Sequence, residues 1–374
     1  MRIISYQFEG LAKSDWIFSK VELGKLNLLV GDSGTGKTRF LNTIFNLGRM
    51  AVSSKVQKNG FWKLELEQDG FIYGWELEVE QTSSKESLVK QEHLWKKSEN
   101  RKISIVERTE SVFKFSGKAL PKLPRESTSL SLLKEEENIK PLYEGFKTIL
   151  KRDFSADELR ENTKYDIIAP ELLGEEIKDL PQLFLTDSGV NLKLYWLSEN
   201  LPGVFQKICD QYMEVFPFIR QIKIRELKSV QSSIRFPGIV PVFSIKERYV
   251  DDWIPVDGLS SGMQKVLLIL TDVYTLPDGG IYLIDEYENS LGINAINFLP
   301  TFLNQIETET QFIITSHHPY IINKIPPENW LIFHRKGSEV KIRYGEKNVE
   351  RFSRSKQQRF IQLLNDPFYN EGIE

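Results

Sequence analysis

A glycine-rich loop between a strand and a helix constrains the fold of this chain more than any other feature. The apolar segment 26–30 predicts a strand, and the apolar residues from Phe40 to Phe45 recur with helical spacing. Between them, residues 31–38 match the pattern GxxxxGK[ST] in full. Backbone N–H groups of such a loop close around phosphate oxygens at the helix N-terminus. A plain glycine-rich turn is the alternative, and the flanking strand and helix disfavour it.

This phosphate loop supplies most of the candidate binding residues. In such loops the lysine, here Lys37, reaches the β- and γ-phosphates of a nucleotide, and the hydroxyl of Thr38 is a ligand for Mg²⁺. The candidate residues are Gly31, Asp32, Ser33, Gly34, Thr35, Gly36, Lys37 and Thr38, with Arg39 directly after them.

A second segment predicts two acids at the end of a buried strand. Residues 281–284 are apolar, and Asp285 and Glu286 follow at once. Ligands of parallel sheets bind at the carboxyl ends of the strands, so these acids belong beside the phosphate loop. Asp285 would hold Mg²⁺, and Glu286 would activate or position the attacking water in phosphoryl transfer. A strand that ends in a solvated acidic turn is the alternative.

A third segment, LSSGMQ at 259–264, precedes a stretch with a strongly apolar helical face. Serine is favoured at helix N-termini without any ligand, so a simple N-cap is one interpretation of Ser260.

Composition limits the class of protein without indicating a function. The chain has 374 residues, of which 40% are hydrophobic and 27% charged, and its formal net charge is −3. These values predict an ordered globular chain of about two to three folding units and exclude a uniformly basic nucleic-acid coat. A single cysteine, Cys209, excludes an intramolecular disulfide and a Cys-rich zinc site. It lies on one helical face with the apolar residues of 204–215, which predicts a position in the core. We expect a cytoplasmic protein without a membrane span or signal peptide.

One stretch departs from this overall charge. Residues 85–125 carry eleven basic and five acidic residues, with Trp95, Phe113 and Phe115 among them. A basic stretch of this kind can follow the phosphate backbone of DNA. The solvated face of a β meander explains it equally well.

The order of the motifs resembles that of the ATP-binding-cassette (ABC) ATPases, an AAA-type class, and in particular the branch of SMC, RecF and overcoming-lysogenization-defect (OLD) proteins. The phosphate loop lies near the N-terminus, LSSGMQ precedes the LIDE strand, and TSHHP at 315–319 follows the next strand. The run DEYENSLG is similar to the DEPENGLH style of that branch and differs from the DEPTSALD of transporters. The resemblance covers roughly 1–80 and 218–335.

The resemblance implies an α/β fold, namely the ABC-ATPase head of the P-loop NTPases with a mixed sheet, an antiparallel β subdomain and a helical insertion. We expect three segments. Residues 1–80 would form the N-terminal ATPase lobe and begin the β subdomain. There the alternation of apolar and polar residues across 61–80 independently predicts a hairpin at Asp69-Gly70, and residues 101–116 predict another. Residues 81–217 would continue the meander and add the helical insertion, and 218–374 would form the C-terminal ATPase lobe. Prolines across 120–215 and the lack of heptads exclude a coiled-coil arm.

The resemblance also implies ATP and Mg²⁺ as cofactors and gives roles to further residues. In the family, the signature of one subunit caps the nucleotide bound by the other. Ser260 and Gly262, with Ser261 between them, would therefore contact the γ-phosphate in trans. His317 matches the switch histidine and joins Lys37 and Glu286 as a catalytic candidate. The glutamine of the family's Q-loop has three candidates, Gln68, Gln81 and Gln91.

The function implied by the resemblance is an ATPase that acts as a nucleotide-gated switch or clamp. We expect an ATP-dependent, head-to-head homodimer, which could join a larger oligomer. Only 55 residues follow Pro319 and they carry no nuclease-like set, so a nuclease or toxin effector would be a separate protein, as in anti-phage defence systems. A RecF-like repair or recombination ATPase that binds DNA directly through 85–125 is the alternative. The nucleotide-binding subunit of a transporter is less favoured.

Overall fold

The chain forms two compact units in the computed structural model. The first unit comprises Met1–Arg152, Asp278–Tyr287 and Leu303–Glu374, and the second comprises Asp153–Pro277 and Glu288–Phe302. The structure describes residues 1–12, 15–99, 101–167, 177–226, 238–289, 291–345 and 359–373.

Fourteen of the described strands belong to the first unit and three to the second. The strands are β1 (Arg2–Glu9), β2 (Ile17–Glu22), β3 (Leu26–Val30), β4 (Gly60–Gln68), β5 (Phe71–Gln81), β6 (Ser87–Ser98), β7 (Arg101–Arg108), β8 (Phe113–Phe115), β9 (Lys118–Ala119), β10 (Ile149–Arg152), β11 (Ile219–Glu226), β12 (Pro241–Glu247), β13 (Ile254–Pro255), β14 (Ile281–Ile284), β15 (Gln311–Thr315), β16 (Trp330–Lys336) and β17 (Glu339–Tyr344). The helices are α1 (Lys37–Val52), α2 (Ser129–Leu132), α3 (Lys140–Lys147), α4 (Ala156–Thr163), α5 (Leu180–Leu185), α6 (Val190–Asn200), α7 (Pro202–Val215), α8 (Ser261–Thr275), α9 (Ile293–Gln305), α10 (Pro319–Lys324), α11 (Arg359–Leu364) and α12 (Pro367–Asn370).

The first unit is built on one mixed sheet of 14 strands, in the order β10-β14-β15-β3-β16-β17-β2-β1-β4-β5-β6-β7-β8-β9. Strands β10, β14, β15, β3 and β16 are parallel neighbours. The apolar strands β3, β14 and β15 are buried along their whole length, as expected for parallel strands covered on both faces. Their carboxyl ends therefore meet at one edge, where the phosphate loop and the two acids follow.

Strand β10 was not expected from the sequence. Its four residues, ILKR, follow α3 almost directly and pair in parallel with β14. A segment of four residues is too short to show a period, and its neighbours are helical, so local patterning predicts a helix there. The first unit consequently extends to Arg152, because β10 and the whole meander belong to the same sheet.

The antiparallel meander, β4 to β9, confirms the two hairpins predicted from alternation. Strands β4 and β5 pair around Asp69 and Gly70, whose φ angles of 51° and 75° are typical of a type I′ turn. Strands β7 and β8 form the second hairpin. One face of the meander supplies the core of the first unit with Trp62, Leu64, Leu66, Tyr73, Trp75, Leu77, Val79 and Leu94.

The second unit combines helices with the small antiparallel sheet β11-β12-β13. Helix α7 buries Ile208, Cys209, Tyr212 and Val215, which confirms the apolar face and the core position of the cysteine. Tyr212 packs edge-on against Phe243 of β12, with ring centres 5.7 Å apart. Most of α8 is buried as well.

The longest described helix, α1, has 16 residues, so the described part of the chain contains no coiled-coil arm. Among the same residues, the helices are too short or too polar to cross a membrane.

Candidate functional site

A cleft of about 410 Å³ opens in the first unit at the carboxyl edge of the parallel strands. The phosphate loop between β3 and α1, the residues after β14 and the end of β15 form its walls. Thr38 and Asp285, which lie 247 residues apart in sequence, meet in it. The lining residues are Trp16, Ser33, Gly34, Gly36, Lys37, Thr38, Arg39, Asp285, Glu286, Thr315, His317 and Arg335. Of the other loop candidates, Gly31 and Thr35 are buried and Asp32 is exposed beside Gly372.

Two glycines give the phosphate loop its shape. Gly34 and Gly36 have φ angles of 87° and 99°, which residues with a Cβ rarely adopt. A Cβ on Gly36 would also lie 2.4 Å from Cζ3 of Trp16. The ammonium of Lys37 donates to the carbonyl oxygens of Gly31 at 2.6 Å and of Asp32 at 2.8 Å. These bonds hold the cation within the loop that would surround a phosphate.

Thr38 and Asp285 provide the oxygen atoms that fit a metal ion. The Oγ1 of Thr38 donates to Oδ1 of Asp285 at 3.1 Å. Asp285 is buried whereas Thr38 is exposed at the start of α1. A hydroxyl and a carboxylate are the hard oxygen ligands that Mg²⁺ takes together with substrate phosphates. The donor set therefore fits Mg²⁺ beside the phosphate loop.

Glu286 and His317 lie at the same cleft. Glu286 is exposed, with a left-handed φ of 46°, and its N–H donates to Oγ1 of Thr315 at 2.8 Å. The hydroxyl of Thr315 in turn donates to Oδ1 of Asp285 at 2.7 Å. His317 follows β15 by two residues and lines the cleft. The next residue, His318, instead caps α10 by accepting a hydrogen bond at Nδ1.

Trp16 and Arg335 also line the cleft, and sequence reasoning missed both. The guanidinium carbons of Arg39 and Arg335 lie 4.9 Å and 4.7 Å from the centre of the Trp16 ring. Arg335 further donates from Nη1 to the carbonyl oxygen of Gly34 at 2.8 Å. The indole ring can stack on a base, and the two guanidinium groups beside it can bind an anion. No local pattern marks these residues, because only the order of strands in the sheet brings them to the loop.

The signature residues lie in the second unit, at the start of α8. Ser260 is its N-cap, with Oγ accepting from the N–H of Met263 at 3.3 Å. Ser261 is exposed and Gly262 is buried. The N-cap interpretation of Ser260 is thus confirmed, while the role of these residues in trans stays a prediction. The Q-loop candidates of the first unit lie on β4, β5 and β6 and do not line its described cleft, namely Gln68, Gln81 and Gln91.

The basic stretch 85–125 forms part of the meander, where glutamates neutralise much of its charge. Arg108 is buried in an ion pair with Glu92 at 3.3 Å, so this member of the stretch is not available to DNA. The meander as a whole, residues 60–125, carries twelve basic and eleven acidic residues. Further ion pairs are Lys90–Glu78, Lys102–Glu65, Lys114–Glu107, Arg125–Glu80 and Arg125–Glu110.

Solved structures with a similar fold are heads of SMC proteins. The SMC head bound to the C-winged helix domain of ScpA is 12% identical with a TM-score of 0.55, and the match covers 94% of this chain and 100% of that one. An Smc head domain with an extended coiled coil, bound to the C-terminal domain of ScpA and derived from Pyrococcus furiosus, is 12% identical with a TM-score of 0.50. That match covers 93% of this chain and 98% of the other. At this identity the likeness shows the fold alone, and it confirms the expected head fold.

A protein-family profile described as "AAA domain, putative AbiEii toxin, Type IV TA system" matches residues 26–323. No curated protein matches the sequence. The matched range contains the phosphate loop, both acids and His317, and it spans well over half of the chain. The chain therefore belongs to this AAA domain family of P-loop NTPases.

Proposed function

We propose that the protein is an ATPase that binds ATP with Mg²⁺ in the cleft of the first unit and hydrolyses it to ADP and phosphate. The observation that carries this proposal is the meeting of Thr38 Oγ1 and Asp285 Oδ1, 3.1 Å apart, beside the phosphate loop. P-loop NTPases hold Mg²⁺ with this pair of residue types. Membership of an AAA family supports the same class of reaction.

In the proposed mechanism the chain binds the phosphates and orients the attacking water. Loop N–H groups and the ammonium of Lys37 bind the β- and γ-phosphates. Thr38 and Asp285 hold Mg²⁺, which when bound neutralises charge on the phosphate oxygens. The exposed carboxylate of Glu286 orients and activates water at the mouth of the cleft. His317 contacts the γ-phosphate from the end of β15.

ATP binding would act as a switch by joining two heads. In this proposal, Ser260, Ser261 and Gly262 of one subunit cap the nucleotide held by the other, and hydrolysis separates the heads. Ser260 and Ser261 are exposed at the start of α8. A surface of this kind is available to a second copy, and the resemblance to ABC-type heads supports the arrangement.

The biological role that we propose is the ATPase subunit of an anti-phage defence system that controls a separate nuclease or toxin. The description of the matching family, which refers to a toxin and a type IV TA system, supports this context. The RecF-like alternative, with direct DNA binding through 85–125, has less support because ion pairs neutralise much of that stretch. The proposal of a transporter subunit has no observation in its favour.

The experiment that tests the proposal replaces Glu286 with glutamine. We expect Glu286→Gln to bind ATP with Mg²⁺ like the unmodified protein, to lose turnover by about 10²–10⁴-fold, and to accumulate an ATP-dependent dimer. Nucleotide titration, phosphate release and light scattering measure the three properties. The matched control, Glu328→Gln, makes the same change on an exposed residue of the first unit outside the cleft.

Each part of the proposal has its own contrary outcome. Unmodified protein that fails to hydrolyse ATP, or Lys37→Ala protein that hydrolyses it normally, would reject the ATPase assignment. Full turnover in Glu286→Gln would reject the role of that carboxylate. ATP binding without a dimer would reject the capping in trans.

A further inference from the structure

The hydroxyl of Thr315 lies between the two acids of the candidate site. Thr315 is the last residue of β15 and is 1% exposed. Its Oγ1 donates to Oδ1 of Asp285 at 2.7 Å and accepts from the N–H of Glu286 at 2.8 Å. The single proton of the hydroxyl is therefore donated to the carboxylate of Asp285, while a lone pair of its oxygen accepts the backbone N–H of Glu286.

The first bond holds the carboxylate of Asp285 through the hydroxyl of a buried side chain. Oδ1 of Asp285 also accepts from Thr38 at 3.1 Å. Thr38 is exposed and is itself a proposed metal ligand, whereas Thr315 is buried at the end of β15, where it also lines the cleft. The Thr315 side chain is thus the less exposed of the two whose hydroxyls orient Asp285.

The second bond holds a strained backbone. Glu286 has a φ of 46°, a backbone conformation that residues other than glycine, asparagine and aspartate rarely adopt. Two contacts with Thr315 surround it: the N–H of Glu286 donates to the hydroxyl, and the N–H of Tyr287 donates to the carbonyl oxygen at 2.9 Å. The chain therefore turns directly after Asp285, which leaves Glu286 exposed at the cleft while Tyr287 is fully buried.

We propose that Thr315 is a positioning residue that sets the orientation of both acids through its one hydroxyl. It would align the Asp285 carboxylate for Mg²⁺ and hold Glu286 in the left-handed turn that directs its carboxylate to the water. This inference rests on the proposed function of the cleft as an ATPase site. Partners that orient metal ligands typically contribute 10- to 100-fold to metal affinity or activity.

The test compares three variants that separate the hydroxyl from the shape of the side chain. Thr315→Val keeps the volume and removes the hydroxyl, whereas Thr315→Ser keeps the hydroxyl. The matched control is Thr310→Val, the same change on a fully buried threonine directly before β15, whose hydroxyl bonds Thr308 and no residue of the cleft. If Thr315→Val fails to fold, Thr315→Ala replaces it.

Two measurements are made on each variant. In the protein without nucleotide, we expect amide exchange at Glu286 to be about tenfold faster in Thr315→Val, the factor for loss of one hydrogen bond. It should be unchanged in Thr315→Ser and Thr310→Val. With ATP, the Mg²⁺ concentration required for tight binding should rise about 10- to 100-fold in Thr315→Val, while ATP binding without Mg²⁺ is unchanged and Thr315→Ser restores the Mg²⁺ response.

The inference would be overturned if Thr315→Val had the same amide exchange rate at Glu286, and needed the same Mg²⁺ concentration for tight ATP binding, as the unmodified protein. A Thr315→Ser variant that behaves like Thr315→Val would also overturn it, because the hydroxyl would then not be the active feature. The exchange measurement needs no nucleotide. Failure of the unmodified protein to bind ATP would consequently reject the proposed function, while amide exchange would still decide whether Thr315 holds the turn.

Discussion

Replacement of either member of the buried pair Glu92–Arg108 should destabilise the first unit by about 3–5 kcal/mol. The two side chains are only 1% and 3% exposed. The carboxylate of Glu92 accepts from Nη1 of Arg108 at 3.3 Å, from the indole N–H of Trp75 at 3.1 Å and from the backbone N–H of Ser129 at 2.8 Å. The pair thereby ties β5, β6 and β7 to the start of α2.

The magnitude follows from what each replacement leaves behind. The guanidinium of Arg108 also donates to the carbonyl oxygens of Ser127, Leu123 and Pro124. Burial lowers the pKa of Arg108, and the carboxylate of Glu92 opposes that change. Glu92→Gln therefore leaves the buried guanidinium without its counter-ion. Arg108→Met leaves the buried carboxylate of Glu92 without its counter-ion, and it removes the donor to three carbonyl oxygens. In a unit of this size, each kcal/mol lost from the free energy of unfolding lowers Tm by about 2–4 °C, so Tm should fall by about 6–20 °C.

Urea unfolding followed by tryptophan fluorescence measures the effect, with Trp75 as a reporter beside Glu92. The matched control is the pair Lys102–Glu65. Its side chains are 62% and 34% exposed, and Nζ of Lys102 lies 3.8 Å from Oε1 of Glu65. Glu65→Gln and Lys102→Met should each cost less than about 1 kcal/mol. The double replacement of the buried pair should cost about 1–3 kcal/mol less than the sum of its single replacements. Buried-pair variants as stable as the control variants would refute the reasoning from burial.

Gly36→Ala should abolish ATP binding, because a methyl group at this left-handed position would lie 2.4 Å from Cζ3 of Trp16. Calorimetric titration checks this, and an unmodified affinity would mean that the loop relaxes around the methyl group. Burial raises the pKa of the Cys209 thiol to about 12, so that native protein at pH 8 should react with a disulfide reagent at least about 100 times more slowly than urea-unfolded protein. Because the pKa is higher in the folded state, the protonated thiol contributes stability below about pH 9 that is lost as the pH rises towards 12. Equal labelling rates of the native and unfolded protein would contradict this prediction.

Local patterns predicted those parts of the fold whose signals are contained in a few consecutive residues. Alternation predicted the hairpin at Asp69 and Gly70, and helical spacing predicted the buried position of Cys209. Strand β10 was missed because four residues between helices carry no period. It forms because β14 presents an open edge to it, which is a property of the assembled sheet.

The residues of the candidate site likewise divide into those that local motifs predicted and those that they did not. Motif spacing identified the phosphate loop, Asp285 and Glu286, and the structure places them in one cleft. It did not identify Trp16 or Arg335, since strand order alone brings these residues to the cleft, and it gave no role to Thr315, although this residue begins the TSHHP segment. The local excess of positive charge in 85–125 is partly offset in the structure for a related reason. Neighbouring strands bring glutamates from outside that range into contact with its lysines and arginines.

The separation of the two halves of the site along the chain has a consequence for its synthesis. Thr38 and Asp285 are 247 residues apart, and a ribosome adds about 5–20 residues per second, so the phosphate loop emerges roughly 10–50 s before its acids. Meander hairpins pair locally and should fold early in that interval. Among the described strands, β3 pairs with β15 and β16, so this apolar segment must wait for strands that are made much later in translation. The nascent chain would thus acquire the ability to bind nucleotide late and in a single step, when the central sheet closes.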